Sequence, residues 1–153
     1  METSTIDYLL QHTSIMMYRQ ADQTLQERLG IGMSQYKLLA FLHDHPDAGQ
    51  RFIADSLGQT EASISRQIKL LTEKDMVETE VNPRSRREHR VVLTVRGAKL
   101  TNAARDILEQ SQNSVYDRFS TKQRQQFKDM LTALHDHTCQ EGRSYACNHS
   151  FMV

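Results

Sequence analysis

The residues of this chain whose types could do chemistry fall into two clusters. The first is basic. Arg84, Arg86, Arg87 and Arg90 crowd into a single short stretch. A guanidinium presents a rigid fork of donors that fits phosphate and the O6/N7 edge of guanine. Residues 81–99 hold six Lys/Arg against one acid, a balance of +5. Residues 66–99 hold nine against five, a balance of +4. The whole chain carries 19 basic and 19 acidic residues, so the remainder is −4. For nucleic-acid binding the distribution of charge matters more than its sum. Four arginines on one loop repel one another unless an anion lies between them, and a narrow DNA minor groove attracts inserted Arg. The plain alternative is a solvated basic loop.

The second cluster is His135, His137, Cys139, Cys147 and His149. These are zinc-ligand types, but their order, H-x-H-x-C-x7-C-x-H, matches no strong zinc spacing. A polar tail that happens to hold ligand types accounts for them, so they are weak metal candidates and neither metal nor cofactor is expected. Cys139 as an oxidant-sensing thiol would need exposure and a lowered pKa. His43 and His45 end a helix, where the helix dipole favours them without any further role. No Ser-His-Asp spacing, G-x-S-x-G, phosphate loop or H-E-x-x-H occurs, so no enzyme is expected.

The elements that must position the basic residues are mostly helical. From Ile6 to Leu29 apolar residues recur with a 3.6-residue period, weakest near Gln20–Thr24, and Gly30 and Gly32 end the run. Ser34 is the expected N-cap of a second helix that Pro46, Asp47 and Gly49 close. A short helix is expected over 50–57, followed by Gly58, and a longer one over 61–74 with Thr60 as N-cap. The period then changes. Val77, Thr79 and Val81 alternate with Glu78 and Glu80, Asn82-Pro83 marks a turn, and Val91-Val92-Leu93 forms a second β-branched run. Together they predict a hairpin with an arginine-rich tip. Thr94 is expected to cap a helix reaching about Phe119. Ser120 to Gln123 forms a capping box that opens a last helix through Phe127, Met130, Leu131 and Leu134.

Within this order, Ala54, Gly58 and Ile64 have the spacing A-x3-G-x5-I. A small residue lets the second helix approach the first, glycine takes the left-handed turn, and the branched residue locks the pair. Leu57, Ile68 and Leu71 extend the buried side. Glu61, Ala62, Ser65, Arg66 and Lys69 fall on the opposite face, where a groove could receive them. A helix-turn-helix followed at once by a basic hairpin is a winged helix-turn-helix.

At these residues the chain resembles the MarR family of bacterial transcriptional regulators. Asn82 to Gly97, N-P-R-S-R-R-E-H-R-V-V-L-T-V-R-G, is similar to the family pattern D-P-x-D-R-R-x-x-x-V-x-L-T-x-x-G. Ile64-Ser65-Arg66, Leu71 and Met76-Val77 match its recognition-helix pattern. Three positions depart from it: Ser85 replaces the Asp before the Arg pair, Asp75 the Gly that ends the recognition helix, and Thr79 a basic residue in the first strand. The resemblance implies a homodimer whose terminal helices interlock, two winged units on a palindromic double-stranded operator, and release from DNA by a small-molecule effector in many members.

The expectation is therefore a mainly α chain with a small β-hairpin wing. Dimerisation helices would occupy 1–30 and 96–142, the winged helix-turn-helix 34–95 and a tail 143–153. The DNA-binding residues would be Ser65, Arg66 and Lys69 on the helix, with Arg84, Arg86, Arg87 and Arg90 on the wing. A metal- or thiol-based sensor using the C-terminal cluster is the alternative. Length and composition agree with one globular domain: 153 residues, 38% apolar, with six Gly and two Pro. No apolar run approaches a membrane span. The N-terminus lacks the basic start of a signal peptide, so a cytoplasmic protein without a membrane partner is expected.

Overall fold

The computed structural model describes residues 2–81 and 89–138. Among these residues six helices and one hairpin run in the order α1 (Glu2–Leu29), α2 (Met33–Asp44), α3 (Gln50–Leu57), α4 (Glu61–Glu73), β1 (Val77–Val81), β2 (His89–Leu93), α5 (Val95–Tyr116) and α6 (Thr121–Thr138). No helix among these residues is long and apolar enough to cross a membrane. The expected mainly helical architecture with a two-stranded antiparallel hairpin is the observed one. The weak stretch at Gln20–Thr24 does not break α1, which runs unbroken for 28 residues.

One core holds the central elements together. Leu38, Leu39, Phe41 and Leu42 of α2 meet Ile53 and Ala54 of α3, Ile64 and Leu71 of α4, and Val77 and Val91 of the hairpin. The flanking helices contribute Leu25 from α1 and Ala104 and Leu108 from α5. Burial of this kind, at about 25 cal/mol per Å² of apolar area, is the main force that joins them.

The start of α2 differs from expectation. Gly32 is the N-cap, and Ser34 lies inside the helix. The α2 terminus is instead capped from α1: the Met33 N–H donates to Asp22 Oδ1 at 2.6 Å, and Gln26 Nε2 donates to Asp22 Oδ2 at 2.9 Å. A carboxylate beside orphan N–H groups is favoured by hydrogen bonding and by the helix dipole. The remaining caps are as expected. Thr60 accepts from Ser63 N–H at 3.1 Å, Thr94 from Gly97 N–H at 2.9 Å, and Ser120 exchanges reciprocal bonds with Gln123.

The end of α4 is a Schellman turn. Met76 N–H donates to the Leu71 carbonyl and Asp75 N–H to the Thr72 carbonyl, both at 2.9 Å. That turn needs a left-handed residue, and Asp75 supplies it at φ +57°. Glycine adopts this conformation without the Cβ strain that Asp carries. Asp75→Gly should therefore stabilise the protein by about 0.5–1 kcal/mol. Thermal unfolding at fixed protein concentration checks this, and a lower melting temperature would refute it.

The terminal helices leave apolar surface uncovered. No residue of α6 is buried, and Phe127, Met130, Leu131 and Leu134 all lie exposed along it. Ile6, Leu9, Ile15 and Met16 do the same on α1.

Candidate nucleic-acid interface

The turn between α3 and α4 is built on Gly58, at φ +62°. Gln59 N–H donates to the Ala54 carbonyl at 2.9 Å and Gly58 N–H to the Asp55 carbonyl at 3.3 Å. Ala54 is buried, as are Ile64, Ile68 and Leu71. The A-x3-G-x5-I spacing thus does what its residue types require: close approach, left-handed turn and a locked second helix. With that side buried, Glu61, Ala62, Ser65, Arg66 and Lys69 face solvent together. Arg66 lies back along its own helix, its Nε donating to the Ala62 carbonyl at 3.3 Å. This carries the guanidinium toward the N-terminal end of α4, the end that a recognition helix presents to base edges.

A polar network at this turn escaped the sequence reading. Gln59 Oε1 accepts from Ser63 Oγ at 3.1 Å and from Gln67 Nε2 at 2.7 Å. It ties the turn to the first two turns of α4. The i, i+4 spacing of Gln59, Ser63 and Gln67 was its one sequence signal, and polar residues at that spacing are too common for it to be specific.

The hairpin follows. Its ladder pairs Val77 with Leu93, Glu78 with Val92, Thr79 with Val91, Glu80 with Arg90 and Val81 with His89. Val77 and Val91 are buried and root it in the core. Arg84, Arg86 and Arg87 lie outside the described residues, and so does Ser85. Arg90, expected to support phosphate contact, is engaged by the protein itself. It pairs with Asp47 in the α2–α3 turn and with Glu80 at 3.1 Å across the ladder. These carboxylates raise the guanidinium pKa above its ordinary value, with the Glu80 hydrogen bond contributing most and desolvation opposing.

The hairpin and α5 meet at one joint. Thr94 N–H donates to the Met76 carbonyl at 3.1 Å, Thr94 Oγ1 donates to the Asp75 carbonyl at 2.7 Å, and Gly97 passes directly beneath Met76. The end of α4 and the start of α5 are therefore held to each other through backbone groups and the Thr94 hydroxyl.

The other candidates are dispersed. His43 Nδ1 lies 3.0 Å from Asp44 Oδ1, and His45 packs with Phe41 and Phe52 in a three-ring cluster in which the two Phe rings also touch. His135 Nδ1 lies 3.3 Å from Asp136 Oδ1. His137 is at the exposed end of α6. Cys139, Cys147 and His149 lie outside the described residues. Among the described residues no group of three or more His, Cys, Asp or Glu is placed to hold a metal ion.

The model for the MarR family matches residues 29–88, the stretch from the end of α1 into the wing. No curated protein matches the sequence at a significant level. Solved structures do. A single-residue variant of MepR from S. aureus is 27% identical, with TM-score 0.75 over 86% of this chain and 97% of that one. A S. aureus MepR–DNA complex is 26% identical, with TM-score 0.72 over 86% of this chain and 95% of that one. A MarR family protein from Bacillus stearothermophilus is 14% identical and shares the fold, with TM-score 0.79 over 91% of this chain and 96% of that one.

Proposed function

We propose, from the premise that this chain belongs to the MarR family, that it regulates transcription as a homodimer bound to a palindromic double-stranded DNA operator. The observation that carries this reading is the exposed polar and basic face of α4, with Ser65, Arg66 and Lys69, standing beside a hairpin rooted in the same core. A face of that kind fits the major groove, where Arg pairs with guanine. Arg84, Arg86 and Arg87 of the wing add phosphate or minor-groove contacts. The similarity to a chain solved on DNA supports the assignment.

The uncovered apolar stripes of α1 and α6 support dimerisation. Phe127, Met130 and Leu134 are about half exposed in the single chain, and a contiguous apolar surface of this extent marks an interaction site. Repression, and release by a small ligand entering between the dimerisation helices and the winged unit, complete the proposal.

The purified protein should sediment at twice the 17.7 kDa of one chain. Genomic fragments that it retains should share two half-sites about one helical turn, roughly 10 bp, apart. If each protomer neutralises about 3–4 phosphates, log K against log salt should fall with a slope near −5 to −7. A monomer at micromolar concentration would sink the dimer, and a flat salt response would sink the DNA contact.

A further inference from the structure

The apolar anchorage of the hairpin ends early. In β1 only Val77 is buried, and Val91, opposite Thr79, is the buried apolar residue of β2 that roots the pair. Two ladder pairs lie beyond Val91, Glu80–Arg90 and Val81–His89, before the arginine-bearing tip begins. Val81 is 53% exposed and adds no anchor. Ladder hydrogen bonds hold β1 to β2 but do not fix the angle of the pair to the body, and a two-stranded hairpin is marginal by itself. A small rotation about the Val77–Val91 root therefore swings the tip through a larger arc.

Among the described residues, Arg90 makes the polar contact that reaches from this outer half to another element. Its guanidinium bridges Glu80, directly opposite in the ladder, and Asp47, 43 residues away in the α2–α3 turn. Its side chain is only 25% exposed, less than a cation held out to an external phosphate would be. Two carboxylates face one guanidinium, so the group presents no spare positive charge.

We propose that Arg90 is a positioning residue for the wing. Clamped between Asp47 and Glu80, it sets the angle at which the arginine-bearing tip leaves the winged unit. This rests on the DNA-binding reading for one of its two readouts and is independent of it for the other.

Asp47→Asn in the full chain separates the clamp from a phosphate contact by sign. If Arg90 served phosphate, removing Asp47's charge would release it toward DNA and tighten binding. If Arg90 is a clamp, the same change loosens the wing and weakens binding, although a negative charge has been lost. Exposed ion pairs of this kind are worth about a two- to fivefold change in an equilibrium, and that is the expected loss of operator affinity. Arg90→Lys keeps the charge but loses the fork that spans two carboxylates, so it should show part of the same loss.

The readout without DNA is limited trypsin digestion, which leaves Arg84, Arg86 and Arg87 intact as cleavage sites in Asp47→Asn. Cleavage there should quicken by a similar about two- to fivefold, because it follows the population of the opened wing. Unchanged cleavage overturns the clamp, as does tighter operator binding. If the wild-type protein retains no DNA, the functional reading fails while the digestion still decides the clamp.

Discussion

Gly97→Ala should lower the melting temperature by about 6–12 °C, from a loss of roughly 3 kcal/mol in a chain of this size. A Cβ built at Gly97 would stand 1.9 Å from the Met76 carbonyl oxygen and 2.9 Å from its carbon. Both are backbone atoms, so no side chain can swing aside. The Met76 oxygen also accepts from Thr94 N–H at 3.1 Å, and Thr94 in turn holds the Asp75 carbonyl and the Gly97 N–H. Making room for a methyl group means backing α5 away or breaking the turn that ends α4. DNA binding should fall together with stability, because the displaced element is the end of the proposed reading helix. Gly49→Ala is the control. A Cβ there meets nothing within 4 Å, and its φ of −76° suits any residue. Protein concentration must be held constant, since a dimer melts at a concentration-dependent temperature. A Gly97→Ala protein melting within about 2 °C of wild type would show that the joint yields, against the cost expected of overpacking.

Arg66→Ala should cost about 1–3 kcal/mol of operator affinity and relax preference at one base position. Arg66 lies on the exposed face of α4, and on the proposed reading its removal would take away a bidentate pair with a base edge. Replacing Arg86 and Arg87 together should act differently. Phosphate contacts carry little sequence information, so all sequences should weaken alike and the salt slope should shrink by about 1–2. Binding measured against matched operators with single substitutions, at several salt concentrations, separates the two. If Arg66→Ala weakens operator and unrelated DNA equally, Arg66 serves phosphate and not a base. If the double variant binds like wild type at every salt concentration, the wing does not touch DNA.

What the sequence determined about this protein is what short-range physics encodes. Apolar period, Gly58 at a left-handed turn and side-chain caps such as Thr60, Thr94 and Ser120 each act within a few residues, so one stretch of chain reveals them. The switch from a 3.6 to a two-residue period located the hairpin for the same reason, and the clustering of Arg84, Arg86 and Arg87 was visible as local charge. The sequence also placed Ser65, Arg66 and Lys69 on one face, because the buried Ile64, Ile68 and Leu71 dictate what lies opposite. Only the tertiary structure decided which distant groups meet. Ser34 reads as a cap because its type is right, yet Asp22 on another helix supplies the carboxylate to α2. Arg90 reads as one more basic residue of the wing, yet Asp47 from 43 positions earlier claims it. Gly97 ends a recognisable run of residues, but that it lies against the Met76 carbonyl appears only when α4, the hairpin and α5 converge. Contacts of this kind depend on how helices cross and how a strand pair leaves the core. Those geometries are set by the packing of the whole molecule and leave no periodic trace in any one segment.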